Sequence, residues 1–493
     1  ENRNRMAALK KVNGKWTKQQ IFYFAWLLIS VGLFYSFIYN DILETMRVSI
    51  SFWEELIHGN LHYFYGGRWQ QTSAAYVKEV QAVYDFPIYI VFAIWNFPIW
   101  LVEHFGKVDV MNSVLCMMWE KTLLLVSVLL ITKALYQLCR TLDLNENLSS
   151  LACLLFLSSN FFMTSVIMMS AYDIIALYFA IKGIDYYFQG KNKGFLLCFM
   201  CAIPLKFFAL LLFVPLLLLK EKRIPQIIGS GILSILPILI FRFLLPCRAV
   251  MGDASTVSFS LSNMLKSTEL SNLAWIYAVY HEAPIAIGQM YLSIAAWIIL
   301  FLVCYFVKIE SQESLRRWGI YACFMSYTIL FVLCMSHPYW LLIMMPFMAI
   351  MMAQNAKYLY VNMIVEMLLT WGMIFAQIFK FPWCFGNALV NGMFLPLLLG
   401  KQSTFQSVTP MTLVNQFVSG DNASSYLIGM GCTVFAAGML VFSVLNLPCL
   451  KDKFHFINME EKPATWLMVL RMISGIVIAM IPIAMYVIGV KAA

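Results

Sequence analysis

The sequence predicts an all-α polytopic membrane protein. Of its 493 residues, 61% are hydrophobic and only 12% are charged, whereas a soluble domain carries about 25% charged residues. Several stretches of about 18 or more residues are almost free of charge, and this is the length that a helix needs to cross a bilayer. These two observations exclude water-soluble fold classes. The net charge of +9 does not indicate nucleic acid binding, because the basic residues lie in short loops between apolar stretches.

The distribution of basic residues predicts the topology. The basic N-terminal segment is expected in the cytoplasm, so the first helix, residues 21–39, crosses outward. Placing the basic loops 190–194, 220–223 and 308–317 in the cytoplasm as well gives a bundle of about 13 transmembrane helices with the C-terminus outside.

One apolar stretch, residues 86–100, is only about 15 residues long and contains two prolines, which is short for a crossing. We expect it to lie at the outer interface. Residues 40–117 then form a long first external loop that carries amphipathic juxtamembrane helices.

The predicted organisation has three parts. Residues 1–20 are a cytoplasmic segment, and residues 21–350 are a membrane module whose external loops are 40–117 and 246–285. Residues 351–493 are C-terminal membrane helices with an external loop at 379–425.

A lysine stands inside the apolar stretch "IPLKFFALLLFVPLLLLKEKR" (203–223). Only about 25 residues separate the basic clusters on either side, and one straight crossing would place one of those clusters outside. Two half-helices that meet at Pro204–Lys206 keep both clusters inside and bring Lys206 to the outer face. Broken helices at membrane depth are tolerated where they line a polar cavity. The alternative is that Lys206 only extends to the interface without a function.

This topology brings many polar side chains to the outer face. They are Asp41, Glu44, Glu120, Lys121, Asp173, Lys206, Arg248, Asp253, His337 and Tyr339. Carboxylates, cations and aromatic side chains at one membrane face indicate a site for an anionic ligand that is partly lipidic.

Each of these side chains also has a simpler interpretation. Asp41 and Asp173 are each suited to capping a helix, with Glu44 on the wet face of the helix that Asp41 opens. His337 suits a solvated turn, and Glu120 with Lys121 suits an interfacial pair. Three tryptophans are typical of an interfacial belt, and they are Trp95, Trp100 and Trp383.

The order of these features resembles the GT-C superfamily of integral membrane glycosyltransferases. A long external loop opens with Asp41 and Glu44, and "YDFPIYIVFAIW" (84–95) leads into a helix of that loop. Lys121 opens the second crossing, and Asp173 follows the third. The stretches "IPLKFF" (203–208) and "SHPYWLLIMMP" (336–346) come next. The resemblance covers about residues 1–350 and is greatest to the aminoarabinose transferase and protein O-mannosyltransferase branch.

The resemblance implies a function and a set of roles. The donor is a sugar on a polyprenyl phosphate, and the acceptor is a hydroxyl of a glycan, lipid or protein. Transfer takes place with inversion at the extracytoplasmic face of a bacterial plasma membrane, in the synthesis of cell-envelope glycans.

The residues take the following roles in this interpretation. Asp41 is the general base, with Glu44 as its substitute, and Asp173 orients hydroxyls of the sugar or acceptor. Lys206 stabilises the leaving phosphate with Lys121 or Arg248 as a helper, and His337 and Tyr339 hold the phosphate or the sugar. Some members of the superfamily use a divalent cation, Mg²⁺ or Mn²⁺. Asp41, Glu44 and Asp173 are able to bind such an ion, but carboxylates alone do not establish a metal site, so no metal ligand is assigned.

Two other functions remain open at the level of sequence. A transporter or flippase of lipid-linked saccharides uses a broken helix and polar residues inside the membrane in the same way. It predicts internal inverted repeats, and none is evident in the sequence. A glycan polymerase or ligase predicts several arginines in a large later external loop, where this sequence has few basic residues besides Arg248.

Overall fold

The structure is a computed structural model that describes residues 17–73, 76–245, 292–334, 337–390, 392–400, 408–417, 423–450 and 465–492. Nearly all regular structure in these ranges is helical, as the sequence predicts. The α-helices are α1 (Lys18–Phe34), α2 (Asn40–Ile57), α3 (Phe86–Trp95), α4 (Phe97–Gly106), α5 (Val114–Thr141), α6 (Glu146–Leu157), α7 (Asn160–Phe162), α8 (Asp173–Phe188), α9 (Asn192–Leu205), α10 (Leu210–Lys220), α11 (Ile224–Leu244), α12 (Leu292–Phe306), α13 (Gln312–Leu333), α14 (Met345–Gln354), α15 (Leu359–Lys380), α16 (Leu395–Leu399), α17 (Pro410–Phe417), α18 (Ala423–Leu445) and α19 (Thr465–Ala492).

The first loop contains a feature that the sequence did not predict. An antiparallel hairpin of β1 (Trp69–Ser73) and β2 (Tyr76–Val80) pairs Trp69 with Val80. It follows α2, whose apolar face is buried against α3 and carries Ile42, Met46 and Ile50. The hairpin and α2 to α4 together make the predicted loop 40–117 a folded unit.

The described helices account for fewer crossings than predicted. Five of them are long and apolar enough to span a membrane, or up to seven if two bent pairs each count as one span. The predicted 13 crossings are therefore not confirmed. Several remaining apolar helices are short: α1, with 17 residues, extends about 25 Å, less than the hydrocarbon core of about 30 Å. One bent pair is α3 with α4, which meet at 66°. The interfacial position expected for residues 86–100 stays a prediction.

The apolar stretch of residues 148–166 does not form one straight helix. Helix α6 ends at Leu157, and the chain resumes in α7 and a π-helical turn, Met163–Met168, at an angle of 48°. The side chain of Arg471 in α19 is fully buried beside this break. Its guanidinium donates hydrogen bonds to the carbonyl oxygen of Leu155, at 2.6 Å, and to the hydroxyl of Ser158. These hydrogen bonds satisfy groups that the break frees. The guanidinium also binds both carboxylate oxygens of buried Glu366, at 2.7 and 2.9 Å. Arg471, more than 300 residues away in sequence, thus stabilises the break.

Helices α15 and α18 pack with their backbones in close contact. A Cβ atom on Gly431 would collide with the carbonyl oxygen of Gly372 and would lie 2.8 Å from the backbone nitrogen of Ala376. Small residues allow this kind of approach between membrane helices.

We expect Gly431→Leu to destabilise the protein, because the backbone in contact with it cannot move aside as a flexible side chain would. Overpacking of this kind costs about 1–3 kcal/mol. Thermal unfolding in detergent should show a lower midpoint for this variant. Gly229→Leu is the matched control, because open space surrounds Gly229 in α11. Equal midpoints for the two variants would contradict close packing of α15 on α18.

Candidate functional site

Lys206 lies at a break between two helices, where the sequence placed it. Helix α9 ends at Leu205, Lys206 is extended with φ −155° and ψ 114°, and a 3₁₀ turn, Phe207–Ala209, leads into α10. Pro204 lies in the last turn of α9, where it removes a backbone donor and favours the end of the helix. The break lets the side chain of Lys206 leave the helix axis, and only 17% of it is exposed.

Asp173 is the ion-pair partner of Lys206. The ammonium nitrogen of Lys206 lies 2.7 Å from Oδ1 of Asp173, whose side chain is 2% exposed. Asp173 opens α8 after a tight turn in which Ser170 has a φ of 54°. The N-cap position of α8 is occupied by Tyr172, and no side-chain capping hydrogen bond is formed there. Asp173 is the first residue inside the helix, so its carboxylate is not the cap. It instead compensates a nearly buried cation.

Asp41 lies between two phenols. Its Oδ2 accepts a hydrogen bond of 2.9 Å from the hydroxyl of Tyr339 and a longer one of 3.4 Å from Tyr84. Asp41 lies in the first turn of α2. The N-cap of this helix is Tyr39, and no side-chain capping hydrogen bond is formed there. The interpretation of Asp41 as a capping residue is therefore not supported. The charges of Lys206 and Asp173 both act on Asp41, so the structure brings these three predicted residues into one site.

Aromatic rings enclose the ammonium group of Lys206. Its nitrogen lies 5.5 Å from the ring centroids of Tyr84 and Tyr172 and 5.8 Å from that of Trp340. Ring faces at this distance attract a cation and reduce its contact with water. These three residues are not among the predicted site residues, although each is adjacent to a predicted feature: Tyr84 opens "YDFP", Tyr172 precedes Asp173, and Trp340 follows Tyr339.

His337 extends the aromatic wall around Asp41. Its ring stacks on Tyr339 with centroids 5.5 Å apart and planes 14° apart. Within the described part of the chain, its Nδ1 is buried and has no hydrogen-bond partner. The structure thus places His337 beside the residue that binds Asp41, where a substrate polar group can meet the free ring nitrogen.

The remaining predicted residues have different outcomes. Glu44 lies one turn beyond Asp41 in α2 and is half-buried, so its role as a substitute base stays a prediction. Arg248 and Asp253 lie outside the described residues.

Lys121 contacts backbone carbonyls, whereas the resemblance predicts that it contacts the phosphate of the donor. It is fully buried, and its ammonium donates to the backbone carbonyls of Phe34, Phe37 and Ile167. All three of its hydrogens are used in this way, which favours a structural role over the predicted contact with phosphate. The expected interfacial pair of Glu120 and Lys121 is also wrong, since both side chains are fully buried. Among the tryptophans, Trp100 is buried and donates to Glu54 at 2.6 Å, so it is not part of an interfacial belt.

The surroundings of Asp41 change its acidity. Burial raises the pKa of Asp41, and the hydrogen bond from Tyr339 and the charge of Lys206 oppose this only in part. Burial and the nearby Asp41 carboxylate raise the pKa of Tyr84, so this phenol stays protonated and donates. A carboxylate with a raised pKa accepts a proton more readily than an ordinary one, as general-base chemistry requires.

If Asp41 is a base, activity should fall as the pH is lowered through its pKa, since only the ionised carboxylate accepts a proton. The midpoint should lie above about 3.9, the value for an unperturbed aspartate. Tyr339→Phe removes a hydrogen bond that lowers this pKa, so the acidic limb of the pH–rate profile should move to higher pH.

Tyr321→Phe is the control for this measurement, because the hydroxyl of Tyr321 donates to the carbonyl of Ser443 away from the site. An acidic limb that stays in place in Tyr339→Phe would show that a group other than Asp41 controls the rate.

The carboxylates of the site have partners within the protein. Among the described residues, no three side chains of His, Cys, Asp or Glu come close enough together to hold a metal ion. The closest cation to Asp173 is the ammonium of Lys206. The use of a divalent cation, which the resemblance leaves open, stays a prediction.

Comparison of the sequence with protein-family models and with curated proteins finds no match. Comparison with solved structures finds similarity to a crystal structure of ArnT from Cupriavidus metallidurans bound to undecaprenyl phosphate. The sequence identity is 12% and the TM-score is 0.38, and the similarity covers 87% of this chain and 76% of that chain.

Proposed function

We propose that this protein transfers a glycosyl group from a polyprenyl-phosphate-linked sugar to an acceptor hydroxyl, at the extracytoplasmic face of the membrane. The observation that carries the proposal is the arrangement of Lys206, Asp173 and Asp41 in one enclosed site. It combines a cation suited to a phosphate with a carboxylate suited to a hydroxyl.

Lys206 stabilises the leaving group. Cleavage of the bond between the anomeric carbon and the phosphate oxygen leaves a negative charge on the polyprenyl phosphate. A preorganised ammonium in a site with little water stabilises that charge far better than it would in bulk water. In the free protein the same ammonium is held by Asp173 at 2.7 Å, so the phosphate has to share or replace this partner.

Asp41 activates the acceptor. The acceptor oxygen forms the new bond to the anomeric carbon while its proton passes to the carboxylate of Asp41. A single displacement of this kind inverts the anomeric configuration. The hydrogen bonds from Tyr339 and Tyr84 fix the carboxylate in place, which a base needs for a productive geometry.

Asp173, Tyr84 and His337 lie beside these two groups: Asp173 pairs with Lys206, Tyr84 donates to Asp41, and His337 stacks on Tyr339. When a phosphate binds Lys206, the carboxylate of Asp173 becomes available to sugar or acceptor hydroxyls. The buried Nδ1 of His337 offers a further hydrogen bond. The acceptor is a glycan, lipid or protein, and we place the reaction in the synthesis of cell-envelope glycans in a bacterial plasma membrane.

Donor turnover in proteoliposomes tests the proposal and separates it from transport. The purified protein is incubated with a panel of polyprenyl-phosphate sugars and a crude envelope extract as the source of acceptor. We expect mass spectrometry to detect free polyprenyl phosphate and loss of the donor. Movement of intact donor between leaflets without release of polyprenyl phosphate would instead identify a flippase. Consumption of oligosaccharide-linked lipids alone would indicate a polymerase or ligase.

A further inference from the structure

Lys121 connects two segments that are far apart in sequence. It lies in the second turn of α5, and its nitrogen lies 2.5 Å from the carbonyl oxygen of Phe34, 2.7 Å from that of Phe37 and 3.1 Å from that of Ile167. The ring of Phe34 also lies 4.3 Å from the ammonium. A buried charge is costly unless it is fully hydrogen-bonded, and these contacts use every donor of the ammonium.

The first two carbonyls precede Asp41. Phe34 is the last residue of α1, and Phe37 lies in the connection to α2, in which Asp41 occupies the first turn. Carbonyls at the end of a helix have no partner within the helix, and the helix dipole favours a cation there. The ammonium of Lys121 meets both conditions and fixes where the chain leaves α1.

The third carbonyl precedes Asp173. Ile167 belongs to the π-helical turn Met163–Met168, and the strained turn at Ser170 follows before Asp173 opens α8. A π-helical turn lacks the regular hydrogen bonds that position an α-helix. An additional donor to Ile167 therefore defines the path of the backbone toward Asp173.

We propose that Lys121 is a positioning residue that sets the distance between Asp41 and the Asp173–Lys206 pair. Its ammonium holds the backbone four residues before Asp41 and six residues before Asp173, so the two carboxylate-bearing segments share one anchor. The catalytic part of this inference rests on the proposed function.

Simple packing does not account for Lys121. A methionine or leucine would fill the same volume without the cost of a buried charge. Within the described residues the hydrogen bonds of the Lys121 ammonium all go to backbone carbonyl oxygens and none to a carboxylate, although buried Glu120 is adjacent in sequence. What an ammonium provides, and an apolar side chain does not, is three donors that reach three carbonyls from different directions.

Hydrogen exchange followed by mass spectrometry tests the anchor without relying on activity. In Lys121→Met we expect the amides of residues 35–41 and of residues 167–173 to exchange at least about tenfold faster, both together, because one interaction restrains both. Lys222→Met is the matched control, since Lys222 also donates to three backbone carbonyls, those of Leu218, Cys304 and Tyr305. It should leave both segments unchanged.

Faster exchange in only one segment, in neither, or equally throughout the protein would overturn the shared anchor. If Lys121→Met does not fold, Lys121→Arg supplies the second test, because it keeps the charge and several donors. We expect Lys121→Arg to protect both segments or to loosen both. Loosening of one alone would overturn the proposal.

Kinetics separates the anchor from the proposed function. With the donor that the wild type uses, Lys121→Met should lower kcat about 100-fold with a change in KM of less than about threefold, because misplacement of a catalytic group by about 1 Å has effects of this size. Lys121→Arg should restore part of kcat. A wild type that turns over no donor, with coupled loosening in Lys121→Met, would reject the proposed function and support the anchor. An active wild type, with no coupled loosening in Lys121→Met, would support the proposed function and reject the anchor.

Discussion

Asp41→Asn should nearly abolish sugar transfer while leaving the fold and donor binding intact. Asparagine has the same shape as aspartate and still accepts the hydrogen bond that Tyr339 donates at 2.9 Å, but it does not accept a proton from the acceptor hydroxyl. General-base catalysis contributes about 10²–10⁴-fold, so kcat should fall by about a thousandfold. The measurement is the initial rate at which purified protein releases polyprenyl phosphate.

Two further variants show whether this effect belongs to Asp41. Asp109→Asn alters another carboxylate of the same external loop, one that only accepts hydrogen bonds from Asn112, and should retain full activity. Glu44→Gln tests the substitute base one turn along α2. An active Asp41→Asn together with an inactive Glu44→Gln would transfer the role to Glu44.

Lys206→Met should impair both donor use and stability. A charge-assisted hydrogen bond is worth about 1.5–3 kcal/mol, so kcat/KM for the donor should fall by at least about tenfold. The substitution also leaves Asp173, with a side chain 2% exposed, as a buried charge without its cation. Removal of one partner of a buried pair costs about 3–5 kcal/mol, so the midpoint of thermal unfolding should fall as well.

The double variant Lys206→Met/Asp173→Asn separates these two effects. Removal of both charges should restore most of the stability, because no unpaired charge remains, while donor use stays impaired. Lys206→Arg keeps the positive charge and should retain part of the activity. Unchanged kcat/KM in Lys206→Met would mean that Lys206 only compensates Asp173 and binds no phosphate.

Much of the site was visible in the sequence because charges are rare in apolar stretches. Lys206 stands out inside residues 203–223, and the basic clusters on both sides required a break near it. Asp41 and Asp173 stand out in the same way at the ends of apolar helices. The structure places all three together.

Other contacts that hold the site in place could not be predicted from the sequence. They join residues that are far apart in the chain, and they involve backbone carbonyls, which every residue has. Lys121 binds backbone carbonyls 46 to 87 residues away, and a carbonyl leaves no trace in a sequence pattern. The break between α6 and α7 is hidden for the same reason. Its surroundings are apolar apart from Ser158, Ser159 and Asn160, and Arg471 stabilises it from the other end of the chain. The number of crossings stays a prediction, since short helices and bent pairs are not distinguished by hydropathy alone.

A structure determined by electron cryo-microscopy with a polyprenyl phosphate bound tests the central claim most directly. We expect a phosphate oxygen within about 3 Å of the Lys206 ammonium, and Asp41 facing the side from which an acceptor would approach. A phosphate bound elsewhere, with the Lys206–Asp173 pair still closed at 2.7 Å, would contradict the assignment of this site to a lipid-linked sugar donor.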